Sequence, residues 1–111
     1  MNYKMNEWTR EKLLEEIEGE KTLSVVYFYT PMCGTCGLAS KMLNVTKELF
    51  PNLVFGQIDV NYARELALKW EIESVPCVIV FYKGEPLEKK YALQSVEHLY
   101  HWFNELQSKI K

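Results

Sequence analysis

Two stretches of this chain are apolar at consecutive positions rather than at alternating ones: LSVVYFYT, residues 23–30, and CVIVFY, residues 77–82. A strand with one wet face alternates apolar and polar residues. An unbroken run rich in β-branched and aromatic side chains is therefore a strand covered on both faces. Such a sheet needs helices above and below it, and the segments between the two runs supply them. Thr9 to Glu18 places Leu13, Leu14 and Ile17 on one side, with Gly19 where a helix often ends. From Cys33 onward Leu38, Met42, Val45 and Leu49 recur at helical spacing, which predicts a long helix that buries this stripe and stops before Pro51-Asn52.

LVFGQIDV, residues 53–60, reads as another strand, laid parallel to the first by a right-handed crossover. Ala63, Leu66, Ala67 and Trp70 predict a short helix ending before Glu73-Ser74. After the second apolar run, Lys83-Gly84-Glu85 forms a tight turn. Pro86 to Tyr91 reads as an antiparallel edge strand, where proline's missing donor is tolerated. The last helix has Ser95 as N-cap and Val96, Leu99, Phe103, Leu106 and Ile110 as its core stripe. The expected product is one α/β domain over residues 1–111, a mixed sheet between helices, without repeats or linkers.

The net charge of −2 leaves no positive field for a nucleic-acid backbone or an anionic membrane, so the expected partners are proteins or small molecules. The N-terminal stretch is charged throughout, without a signal-peptide core, and no later run approaches bilayer length. This points to a cytoplasmic protein. Three cysteines are too few for a disulfide scaffold, and two of them form Cys33-Gly34-Thr35-Cys36. That spacing signals redox chemistry or half of a zinc site.

A thiol attacks as its thiolate, and the first turn of a helix, with unpaired N–H groups and a positive dipole end, favours that charge. The sequence places Cys33 there, with Cys36 one turn deeper and close enough for a disulfide after modest adjustment. Cys33 would attack a substrate disulfide and Cys36 would resolve the mixed disulfide. Gly34 would permit close approach, and Thr35 would fill the remaining turn position.

A buried strand running into CGTC at a helix start, followed by SVPCVIVFYKGEPL, resembles the thioredoxin family over nearly the whole chain. The resemblance implies a thioredoxin fold and a dithiol/disulfide oxidoreductase acting on protein disulfides. It also implies a thioredoxin reductase as electron donor, a monomer, and no cofactor or metal. It assigns a cis peptide to Pro76 beside the redox pair, and to Val75 a backbone that pairs with substrate. Met32, in place of the family's tryptophan, is expected on the peptide-binding rim.

Several departures accompany the likeness. Thr35 stands for a proline, and Lys41 for the proline that kinks the active-site helix. Tyr91 stands for a glycine of the substrate groove. Tyr27 and Gln57 replace a buried aspartate and its neighbouring lysine. A tyrosine is a poor base at neutral pH, so loss of the Cys36 proton would fall to water or to the leaving thiolate, and turnover would be slower than usual for the family. Two other readings stay open: a binding or adaptor module with weak turnover, and a metal or iron–sulfur carrier using Cys33, Cys36 and Cys77. Taken singly, Cys77 reads as a buried apolar residue and His98 and His101 as surface residues. Trp8, Trp70 and Trp102 read as packing anchors, and the Glu15-Glu16-Glu18-Glu20 run as a solvated helix face.

Overall fold

In a computed structural model, residues 4–19 and 22–110 are described. Met1–Tyr3, Glu20, Lys21 and Lys111 lie outside them, and with them the start of the charged N-terminal stretch and the last acid of the glutamate run. The elements are β1 (Asn6–Glu7), α1 (Arg10–Gly19), β2 (Ser24–Tyr29), α2 (Cys36–Lys47), β3 (Val54–Asp59), a 3-10 turn (Val60–Tyr62), α3 (Arg64–Lys69), β4 (Cys77–Tyr82), β5 (Glu85–Lys90) and α4 (Val96–Lys109).

The strands order as β1-β3-β2-β4-β5. The pairs β1–β3 and β2–β3 are parallel, while β2–β4 and β4–β5 are antiparallel, the mixed sheet expected from the sequence. Its central strands show why their apolar runs do not alternate. On β2, Val25 and Tyr27 enter the core under α2 and α4, while Val26 and Phe28 enter the core under α1 and α3. On β4, Val78 and Val80 take the first side and Cys77, Ile79 and Phe81 the second. Period two is present, but both of its faces are dry.

The β4–β5 connection turns through Lys83 (φ 53) and Gly84 (φ 83), a pair of positive dihedrals that matches the right-handed twist of a hairpin. Ser95 caps α4 as expected, its Oγ accepting from the His98 N–H at 3.0 Å. Trp8, Trp70 and Trp102 are all buried. His101 is exposed, whereas His98 is half-buried rather than a surface residue.

Three features depart from the sequence reading. The two-residue strand β1 has no counterpart in it; this strand is held by pairing with β3, and beside it the Trp8 N–H donates to the Gln57 carbonyl at 2.8 Å. The Trp8 indole lies over Gly56, where a Cβ would overlap the ring. Secondly, α2 begins at Cys36, so Cys33 sits in the turn before the helix rather than in its first turn. Thirdly, α2 buries Cys36, Ala39, Leu43 and Thr46, while Leu38, Val45 and Leu49 of the predicted stripe face outward.

Candidate active site

Strand β2 ends at Tyr29, and the chain turns through Thr30, Pro31 and Met32 to reach the cysteine pair. The Cys33 N–H donates to the Thr30 carbonyl at 3.2 Å and the Cys36 N–H to the Cys33 carbonyl at 3.4 Å, which folds the loop against the start of α2. Thr35 is the N-cap position but offers no side-chain cap. Cys33 and Cys36 are joined as a disulfide with their Cα atoms 5.4 Å apart. The two sulfurs are not equivalent in access: Cys36 is 5% exposed, whereas Cys33 is only half-buried.

The Val75–Pro76 peptide is cis, and the Val75 carbonyl oxygen lies 3.7 Å from Cys33 Sγ. Thr35 Oγ1 is also 3.7 Å from that sulfur. The structure thus brings Cys33, Cys36, Thr35 and Val75 together. Thr35 and Pro76 further share a groove of about 310 Å³ with Leu38, Met42 and Tyr91. Met32 is 92% exposed. Gly34 is exposed too, and a Cβ there would meet open space, so nothing within the chain demands a glycine.

On the inner side of the pair, the Tyr27 hydroxyl donates to the Cys36 carbonyl at 2.6 Å. Burial pushes the Tyr27 phenol up to about 12, so it serves as a neutral donor and not as a base. Tyr27 pairs across the sheet with Gln57, and Gln57 with Glu7, which sets one residue from each of three strands in a row. Gln57 Nε2 donates to Glu7 Oε1 at 2.8 Å, and the Tyr29 hydroxyl lies 2.8 Å from both Glu7 oxygens. Burial first, and then the Glu7 carboxylate, hold the Tyr29 phenol above its ordinary range. A groove of about 360 Å³ separates this row from the cysteines, lined among others by Tyr27, Tyr29, Cys33, Cys36, Ser40 and Gln57. Sequence reading missed Glu7 and Tyr29: their link to the site crosses strands, and its one local trace was Tyr29 standing one pleat beyond Tyr27.

Cys77 belongs to the opposite core, under α1 and α3, with no exposed surface. Burial pushes its thiol up to about 12. The three-thiolate patch of Cys33, Cys36 and Cys77 therefore does not form, and among the described residues no three His, Cys, Asp or Glu side chains are placed to hold a metal.

Tyr91 and Lys89 hold the segment that leads to Val75. Helix α3 ends with Glu71 in the left-handed region (φ 54), while the Ile72 N–H donates to the Ala67 carbonyl at 2.8 Å, as in a Schellman cap. Lys89 Nζ donates to the Trp70 and Glu71 carbonyls at 3.1 and 2.7 Å. The Tyr91 hydroxyl accepts from the Glu73 N–H at 3.1 Å and donates to the Glu71 carbonyl at 3.3 Å. Tyr91 is thus tied to this loop as well as lining the groove.

The family model for thioredoxin matches residues 4–105. The chain is 48% identical to thioredoxin-like protein YusE of Bacillus subtilis, covering 82% of this chain and 84% of that protein. It is 33% identical to a thioredoxin of Mycoplasma genitalium, over 74% of this chain and 78% of that one. Among solved structures, a mutant thioredoxin from Halobacterium salinarum superposes with a TM-score of 0.83 at 20% identity, covering 95% of this chain and 92% of that one. Oxidised mitochondrial thioredoxin 3 of Saccharomyces cerevisiae gives 0.79 at 19% identity, with 91% and 94% covered. With its cysteine pair closed at the head of α2 and a family match along nearly its whole length, this chain belongs to the thioredoxin family of dithiol/disulfide oxidoreductases.

Proposed function

We propose that the protein reduces disulfides of protein substrates, with Cys33 as attacking thiolate and Cys36 as resolving thiol. The observation that carries this reading is the unequal access of the two sulfurs. Cys33 is half-buried and reachable beside the Val75 carbonyl, while Cys36 is buried against Tyr27. A substrate sulfur meets Cys33, and the mixed disulfide then presents itself to Cys36 within the same turn. The start of α2 supports thiolate at the pair, since its free N–H groups and dipole end point toward that position.

Met32, Gly34, Thr35, Val75 and Pro76 form the substrate rim in this reading. The exposed Met32 offers a flexible apolar contact, and the Val75 backbone is the edge to which an extended peptide pairs. The protein is expected to act as a single-domain monomer in the cytoplasm, recharged by a thioredoxin reductase, without a cofactor of its own. No helix among the described residues is long and apolar enough to cross a membrane.

Reduction of insulin by dithiothreitol, run beside Cys33→Ser, tests the assignment. The unsubstituted chain should accelerate the reaction and Cys33→Ser should fall to the uncatalysed rate. Equal rates for the two would overturn it. Mixed with insulin after the dithiothreitol has been removed, reduced Cys36→Ser should accumulate the mixed disulfide, since no resolving thiol remains.

A further inference from the structure

We propose that Glu7 is the proton acceptor for the resolving step, taking the Cys36 proton through Tyr29 and water in the groove between them. The proposal rests on the redox reading above, and names the group of this chain that makes Cys36 a nucleophile.

Tyr27 cannot do it: its proton is directed at the Cys36 carbonyl, an amide oxygen that is not a base and cannot take the proton on. The groove beside Cys36 is bordered by Tyr29, Gln57 and Ser40 and encloses about 360 Å³, which gives water both room and polar partners. At its far side Tyr29 and Gln57 both point their polar ends at Glu7. A tyrosine hydroxyl donates one proton and accepts through its lone pairs. Tyr29 can therefore accept from a groove water while its own proton goes to the carboxylate. Gln57 fixes that carboxylate, and the β1–β3 pairing fixes its height on the sheet.

The step balances. The Cys36 S–H proton passes to water, a water proton to the Tyr29 oxygen, and the Tyr29 proton to Glu7. The Cys36 thiolate attacks Cys33 Sγ, the Cys33–Cys36 bond forms, the bond to the substrate sulfur breaks, and the substrate leaves as a thiolate with the electron pair. Glu7 is exposed and returns its proton to solvent.

Other titratable groups line the cavities that border Glu7. Lys12, Glu16, Lys47 and Glu48 line one neighbouring cavity with it, and Arg10, Glu11, Asp59 and Tyr62 the other. Arg10 is paired with Glu65 and Glu11, and Lys12 with Glu16 and Glu15. The bonds that reach Glu7 from the redox groove are those of Tyr29 and Gln57.

The experiment mixes reduced protein, in excess, with the aromatic disulfide dithiobis(nitrobenzoate) in a stopped-flow instrument. The first nitrothiolate released reports attack by Cys33, and the second reports resolution by Cys36. In Glu7→Gln and in Tyr29→Phe the second phase at pH 7 should slow roughly tenfold or more, within reach of what a positioned proton acceptor contributes. The first phase should be unchanged. The gap should narrow as pH rises, because hydroxide increasingly takes the Cys36 proton in place of a positioned acceptor. Glu15→Gln, on the exposed face of α1, should track the unsubstituted protein.

A purely electrostatic role for Glu7 predicts the opposite sign, since removing a negative charge near a thiol favours its thiolate and speeds resolution. An unchanged or faster second phase in Glu7→Gln overturns the proposal, as does a slowing of the same size at every pH. Absence of the first phase in the unsubstituted protein overturns the redox reading as well. A normal first phase with an unaffected second phase overturns the relay alone.

Discussion

Helix α2 carries two stripes, and the one with more hydrocarbon is on the outside. Leu38, Val45 and Leu49 are 64%, 56% and 52% exposed, with Met42 half-buried at the margin. The inner stripe, Cys36, Ala39, Leu43 and Thr46, followed by Phe50, is no more than 5% exposed at any position. The difference shows that apolar content alone does not decide which face of the helix meets the sheet. Cys36 is buried at the first position of α2, and residues at spacings of three and four follow it along the face that meets the sheet. The small side chains at 39 and 46 let the helix come close, and the Thr46 hydroxyl is satisfied by the Met42 carbonyl at 2.7 Å, so its burial leaves no stranded donor.

The comparison breaks most sharply at Leu43, which has no exposed surface. Leu43→Ala should cost about 2–5 kcal/mol in denaturant unfolding; a loss no larger than that of an outer leucine would reverse the assignment of faces. Ala39→Leu should cost about 1–3 kcal/mol by overpacking the helix–sheet contact, and a neutral result would mean that α2 stands further from the sheet. Tyr27→Phe, which strips the Cys36 carbonyl of its partner, should cost about 0.5–1.5 kcal/mol.

The same variant sharpens the pH dependence. The Tyr27 phenol is raised from 10.0 to about 12. Between those values the unfolded chain releases the proton while the folded chain keeps it, so this stabilisation is complete below pH 10 and disappears as pH climbs through 12. Unfolding midpoints of Tyr27→Phe should decline less steeply across that range. Cys77, raised from 9.0 to about 12, contributes a decline of the same sign in both proteins. The smallest effects belong to the outer stripe: Leu38→Ala, Val45→Ala and Leu49→Ala should each stay within about 0.5 kcal/mol. A loss of several kcal/mol at any of them would mean that this face is covered in solution.

These two stripes also mark where the sequence was legible and where it was not. The central strands were plain because burial on both faces writes itself as unbroken apolar runs, and β4 occupies Cys77 to Tyr82 as read. The N-cap at Ser95 and the turn at Lys83-Gly84 were plain because their chemistry is local. The orientation of α2 was not, since periodicity reports how many apolar residues share a face but not that a face of smaller side chains fits more closely against the sheet. Strand β1 is two residues long and both are exposed, so it carries no pattern of its own. Of the site, the cysteines and Val75-Pro76 could be read from their motif. Glu7 is tied to the site by partners 22 and 50 residues away in the chain.

The bonds from Lys89 and Tyr91 to the end of α3 have a consequence for how the molecule breathes. Strand β5 lies at the outer edge of the sheet, where hydrogen-bonded ladders open first. Because Lys89 of this strand and the adjoining Tyr91 also grip the backbone at residues 70, 71 and 73, fraying of that margin and loosening of the approach to Val75 should occur together. The Glu73 amide should exchange with deuterium at the pace of the β5 ladder. The backbone beside Cys33 Sγ is then steadied from the β4–β5 hairpin, an element that contributes nothing to the cysteine turn itself.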